Sequence, residues 1–165
     1  MSVSYNSELQ NNALQIKNET VAHANSATRL GQMFQDIIDS KSIWTKVSLS
    51  SAAIGALDAT PITLVSAPSS GFILVPNKII GIYTFLTSAY NAVSLDVRFN
   101  GQTDVLLTLN GLISQVANAN LSDSLMTDGL NFLQENVALE VVASGNTGAG
   151  AGSVDLYLQY DVLKL

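Results

Sequence analysis

The sequence predicts a mainly β protein with an N-terminal α-helix: a coiled-coil stalk and linker over residues 1–44, then a β-sandwich over residues 45–165. Three observations predict it. Apolar residues recur at coiled-coil spacing between Leu9 and Ile37. Beyond Ser40-Lys41-Ser42 the pattern changes to alternation and short apolar runs. Turn residues then punctuate the chain at short intervals.

The helix comes first. Residues 7–40 hold no proline and a single glycine, Gly31, and Ser7 with Glu8 can cap the start. With Leu9 at position a, the a series is Leu9, Ile16, His23, Leu30 and Ile37, and the d series is Ala13, Thr20, Ala27 and Phe34. That is a narrow seam about four heptads long, suited to winding against identical helices. Its mixed Leu, Ile and Phe allow more than two strands without fixing three. Thr20 and His23 make a polar interruption in mid-seam. The alternative is one helix packed on its own β-domain. Either way the helix needs a partner, because most of its stability comes from the buried stripe.

Strands are expected near Lys46–Ser50, Ile62–Ser66, Phe72–Val75, Lys78–Ser88, Val93–Asn100, Asp104–Leu109, Val137–Ala143 and Val154–Leu163. The clearest are those where Leu95, Val97 and Phe99 alternate with Asp96 and Arg98, and where Val154, Leu156, Leu158, Tyr160 and Val162 alternate with Asp155, Tyr157, Gln159 and Asp161. Pro61, Pro68-Ser69-Ser70-Gly71, Asn100-Gly101, Asn110-Gly111 and the run from Gly145 to Gly152 supply turns, the last as a flexible hairpin loop. Ser122–Asn136 is a short helix or a loop. About eight strands fit a β-sandwich, and a jelly roll is one arrangement of them. Phe72 to Tyr90 is apolar enough for a membrane check, but Pro76-Asn77-Lys78 interrupts it, and two strands joined at a Pro-Asn turn explain it better than a spanning helix; membrane insertion is not expected.

Composition narrows the function. Hydrophobic residues make up 47% and charged residues 12%, so much of the surface is neutral and suits burial against other subunits. The formal charge of −6 argues against nucleic-acid binding. With no cysteine there are no disulfides, thiolate metal sites or thiol nucleophiles. The one histidine, His23, sits on the helix seam, away from any Ser-His-Asp arrangement. Asp123 and Asp128-Gly129 lack the alternating acids of a calcium loop and read as turn and capping residues. The Gly145–Gly152 run lacks the Lys-Ser/Thr of a phosphate loop and leads into a strand. No catalytic, cofactor or metal residues are therefore assigned, and no enzyme activity is expected. The polar strand face Asp155, Tyr157, Gln159 and Asp161 reads as a solvated face or a subunit contact, with a glycan contact as the alternative, because an aromatic ring beside hydrogen-bonding groups suits a sugar. Catalysis there would need two aspartates with opposed pKa tuning.

The segments Gln15-Ile16-Lys17-Asn18-Glu19-Thr20, Ala24-Asn25-Ser26-Ala27-Thr28-Arg29-Leu30-Gly31 and Phe34-Gln35-Asp36-Ile37-Ile38-Asp39-Ser40-Lys41 resemble a segment common in fibre-like proteins of phages and prophages of Bacteroidetes bacteria. The second half, with Ala59-Thr60-Pro61-Ile62, Ala67-Pro68-Ser69-Ser70-Gly71 and Pro76-Asn77-Lys78-Ile79, looks like a β-domain of phage virion proteins, including those of crAss-like phages. Neither stretch carries a catalytic motif. The resemblance implies a homotrimer located in the virion, with capsid or tail proteins as partners. The resemblance does not separate head from tail; small size and neutral composition favour a short head fibre or capsid decoration protein. The alternative is a tail fibre subunit that binds a host receptor or surface glycan.

Overall fold

The computed structural model describes residues 43–125 and 134–165. The coiled-coil seam (Leu9, Ala13, Ile16, Thr20, His23, Ala27, Leu30, Phe34 and Ile37) lies outside the described residues.

Among the described residues, eight strands form two four-stranded antiparallel sheets. They are β1 (Ile43–Leu49), β2 (Ile62–Val65), β3 (Phe72–Ser88), β4 (Ser94–Phe99), β5 (Val105–Asn110), β6 (Ala119–Ser124), β7 (Leu139–Ala143) and β8 (Ala151–Lys164), with a short helix α1 (Ser51–Gly55) after β1. The first sheet has the order β1-β8-β3-β6 and the second β2-β7-β4-β5. The pairing follows one rule: β1 with β8, β2 with β7, β3 with β6, β4 with β5. The described strands thus form one long antiparallel ribbon, with its tip at the β4–β5 turn, rolled so that it supplies both layers. This is the jelly-roll winding, the particular sandwich that the strand count left open. At the tip, Gly101 has φ +77°, a conformation only glycine adopts without strain, so the Asn100-Gly101 pair does turn the chain.

The core lies between the sheets. Alternate residues of β4, β8 and the second half of β3 point inward: Leu95, Val97 and Phe99 from β4, Val154, Leu156 and Leu158 from β8, and Ile79 and Tyr83 from β3 are all buried. The helix α1 is capped by Ser50, whose side chain accepts from Ala53 N at 3.3 Å, and it buries Ile54 in the core cluster.

Three expectations change. Phe72–Ser88 is a single 17-residue strand, not two strands joined at a turn. Burial loses its alternation over Ile73–Pro76, the irregular stretch where a strand tolerates a proline, and resumes from Ile79. Asn77, taken for a turn residue, instead links strands: its Nδ2 donates to Asp161 Oδ2 at 2.9 Å. The residues before Ala151 do not make a hairpin loop, because β7 and β8 lie in different sheets. Ser122–Ser124, expected in a helix or loop, belong to β6, a strand that was not expected at all.

The glycines of that crossover serve packing rather than flexibility. A Cβ on Gly150 would lie 2.5 Å from Cδ1 and 2.7 Å from Cδ2 of the Tyr90 ring, and one on Gly152 would lie 2.6 Å from Tyr83 Cε2. The Tyr90 hydroxyl donates to Ser51 Oγ at 2.9 Å, and Ser51 Oγ donates to the Gly150 carbonyl at 3.2 Å. Deeper in, Thr147 Oγ1 donates to the Ile54 carbonyl at 3.1 Å. Together these contacts clasp the β1–β2 connection to the β7–β8 connection.

Candidate interaction surface

The four residues singled out on the C-terminal strand lie on β8, which runs through the interior of the first sheet. Their neighbours Val154, Leu156 and Leu158 fill the core, so Asp155, Tyr157 and Gln159 point to the outer face. Register fixes what stands beside them: Ser48 opposite Asp155, Lys46 opposite Tyr157, Trp44 opposite Gln159. On the other side β3 presents Lys78, Ile80, Ile82 and Leu86 outward, between the inward Ile79, Gly81 and Tyr83. At the far edge β6 adds Asn120, Ser122 and Ser124, opposite Ile82, Ile80 and Lys78. Lys78, Ile80, Ile82, Asn120, Leu121 and Ser122 line an open groove at that edge.

Both acids on this face are engaged. Asp155 accepts from Ser48 Oγ at 2.6 Å and pairs with Lys46 Nζ at 2.9 Å. These contacts hold its carboxyl below the usual carboxylate range, with the Ser48 bond contributing most. The same pairing raises the Lys46 ammonium above its ordinary value, and that ammonium also lies 5.4 Å from the centre of the Tyr157 ring. Asp161 is held by Asn77. Asp155 and Asp161 are six positions apart on one strand, about 20 Å at the strand rise. That is far beyond the roughly 5–9.5 Å of a glycosidase carboxyl pair. Beside these groups the face carries large exposed apolar side chains: Trp44 at 49%, Ile82 at 43% and Leu86 at 65%.

The outer face of the second sheet differs. Glu140, 4% exposed, accepts from Arg98 Nε at 2.9 Å and from Asn100 Nδ2 at 2.7 Å. Asp96 accepts from Thr108 Oγ1 at 2.7 Å. These buried acids have their partners, so they hold strands together. Asp123, read as a turn or capping residue, sits in β6 and accepts from the backbone N–H of Thr108 at 2.7 Å, tying β5 to β6 across the two sheet edges. Asp128 lies outside the described residues. Among the described residues no group of three or more metal-ligating side chains occurs, and no helix is long and apolar enough to cross a membrane.

Sequence reasoning missed Trp44, Lys46 and Ser48. The signal was there: they alternate with Ile43, Thr45, Val47 and Leu49. The strand expected near Lys46–Ser50 is β1, which begins at Ile43.

No protein-family model matches the sequence, and no curated protein matches it. Solved structures do resemble it. A chain of the capsid of Ralstonia phage GP4 aligns with a TM-score of 0.50 at 13% identity, over 74% of this chain and 85% of that one. A chain of the capsid asymmetric unit of cyanophage Pam1 gives 0.47 at 14%, over 73% and 82%. A chain of the acid-stable capsid of Helicobacter pylori bacteriophage KHP30 gives 0.41 at 19%, over 77% and 94%. At these identities the likeness is one of fold.

Proposed function

We propose that this chain is a structural component of a bacteriophage virion, a short trimeric head fibre or capsid decoration protein that binds other virion proteins and catalyses no reaction. The observation that carries the reading is the broad outer face of the first sheet, where every aspartate is already neutralised or hydrogen-bonded and Trp44, Ile82 and Leu86 stand exposed. Such a face favours association over chemistry. The fold likeness to the capsid chain of Ralstonia phage GP4 supports it, and so does the resemblance of the N-terminal segments to phage fibre-like proteins. An electron-microscopy map and a peptide inventory of purified particles test it. Density for the jelly roll on the capsid surface is expected; particles that lack the chain refute the reading.

One observation favours the tail-fibre alternative. Trp44, with its indole exposed, stands opposite Gln159 in the β1–β8 register, and an aromatic ring next to an amide suits a sugar ring. Saturable binding of the full-length protein to a glycan array, lost in Trp44→Ala, would favour the receptor-binding role.

A further inference from the structure

We infer that the outer face of the first sheet is where copies of this chain pack against one another, with Trp44, Ile80, Ile82, Leu86 and Tyr157 at the contact. The inference rests on the reading of the chain as an assembling virion component, and it names the surface that does the assembling.

Size is the first argument. Strands of 7, 14, 17 and 6 residues give a sheet plane of about 700 Å² at about 3.3 Å per residue and about 4.8 Å between strands. A stable protein–protein contact covers about 800 Å² per partner. The whole face thus falls within the range of about 600–1,000 Å² per partner of standard contacts, and it is far larger than a sugar ring needs. Charge is the second. Burying a bare carboxylate is costly, but Asp155 is paired with Lys46 and Ser48, and Asp161 is held by Asn77, so neither meets an incoming surface unpartnered. The third is the layout of the apolar groups. Ile80, Ile82 and Leu86 form one outward row on β3, Tyr157 lies on the adjacent β8, and Trp44 lies on β1 beyond it. A partner must cover three strands to bury them all. Lys78 lies in the groove at the β6 edge, where its ammonium can stay in the polar rim of a contact.

The chain has no cysteine, so single cysteines report on each position without background. The variants Ile82→Cys and Leu86→Cys test the face, and Val116→Cys, 78% exposed in the β5–β6 connection, is the reference. All three are made in the full-length chain and treated with a maleimide while light scattering reports the mass. In the oligomer, labelling at Ile82→Cys and Leu86→Cys should be about tenfold or more slower than at Val116→Cys, because a packed interface excludes water and reagent. Dilution to the monomer should close the gap. Three results would overturn the inference. Equal rates in the oligomer leave the face bare, for another virion protein or a sugar. Protection that persists in the monomer means that the chain's own residues cover it. A monomeric wild type at micromolar concentration removes the contact altogether. Absence of the chain from purified particles, with protection intact, would sink the virion reading and leave this one standing.

Discussion

Gly150→Ala separates packing from flexibility in the glycine-rich crossover. Nothing in the backbone forbids alanine there, since only Gly148 and Gly152 of the run have positive φ. The obstacle is the Tyr90 ring, with two carbons 2.5 and 2.7 Å from the new methyl, roughly 1 Å inside normal contact. The ring cannot swing away freely, because its hydroxyl is anchored to Ser51 Oγ at 2.9 Å and Tyr90 is itself buried. Forcing one methyl into a packed site costs about 1–3 kcal/mol. Losing the Tyr90–Ser51 bond as the ring shifts adds about 1 kcal/mol. The sum is about 2–4 kcal/mol, or a fall in Tm of about 8–16 °C at about 4 °C per kcal/mol. Two other glycines calibrate the result. A Cβ on Gly145 meets only Val93 Cγ1 at 3.6 Å, an ordinary contact, and one on Gly55 meets nothing. Gly145→Ala should therefore be near neutral, and Gly55→Ala, at the end of α1, should stabilise by up to about 0.5–1 kcal/mol. Thermal melts at one protein concentration provide the assay, since association makes Tm concentration-dependent. If Gly150→Ala melts with Gly145→Ala, the run is a flexible linker and the clasp argument fails.

Three further perturbations test other parts of the fold. Glu140→Ala leaves Arg98 and Asn100 without their shared acceptor and should cost about 2–3 kcal/mol in urea denaturation, whereas Glu140→Gln should cost less. Asp155 has a lowered folded pKa, so its contribution is present above the unfolded value of about 3.9 and is lost as pH falls through the folded value. Asp155→Asn should flatten that acid limb in melts across pH, and only slightly, since the pair is exposed. Burial raises the Tyr83 phenol, so stability should fall as pH rises past the unfolded value of about 10. Tyr83→Phe should weaken that alkaline decline while costing under about 1 kcal/mol at neutral pH, because its hydroxyl is only 3.5 Å from the Ala151 carbonyl.

How far the sequence could be read depended on whether a strand carries its own signal. β4 and β8 alternate cleanly because each has one face in the core, and both were found. β6 reads ANLSDS and buries almost nothing. It is a strand because its backbone pairs with Lys78–Tyr83 of β3, and no periodicity in its own residues announces that. α1 is too short for helical spacing to register. Pro76-Asn77 and the glycine run misled for a common reason. Turn residues were judged by what they permit locally, while tertiary contacts used them otherwise: Asn77 to reach Asp161, and Gly150 and Gly152 to admit Tyr90 and Tyr83.

For the same reason only part of the interaction surface was visible in the sequence. Asp155, Tyr157 and Gln159 could be picked out because they share one strand. Trp44, Lys46 and Ser48 complete the face only through the β1–β8 register, and the Ser48–Asp155 bond spans 107 positions of sequence. In a ribbon rolled from its tip, β4 and β5 pair locally, and each later pair closes a longer loop. β1 and β8 are the most distant partners, so the face they build exists only when the roll is complete. A chain that assembles through this sheet would complete its docking surface only then, when β1 and β8 bring Trp44 and Tyr157 beside the Ile80, Ile82 and Leu86 row of β3.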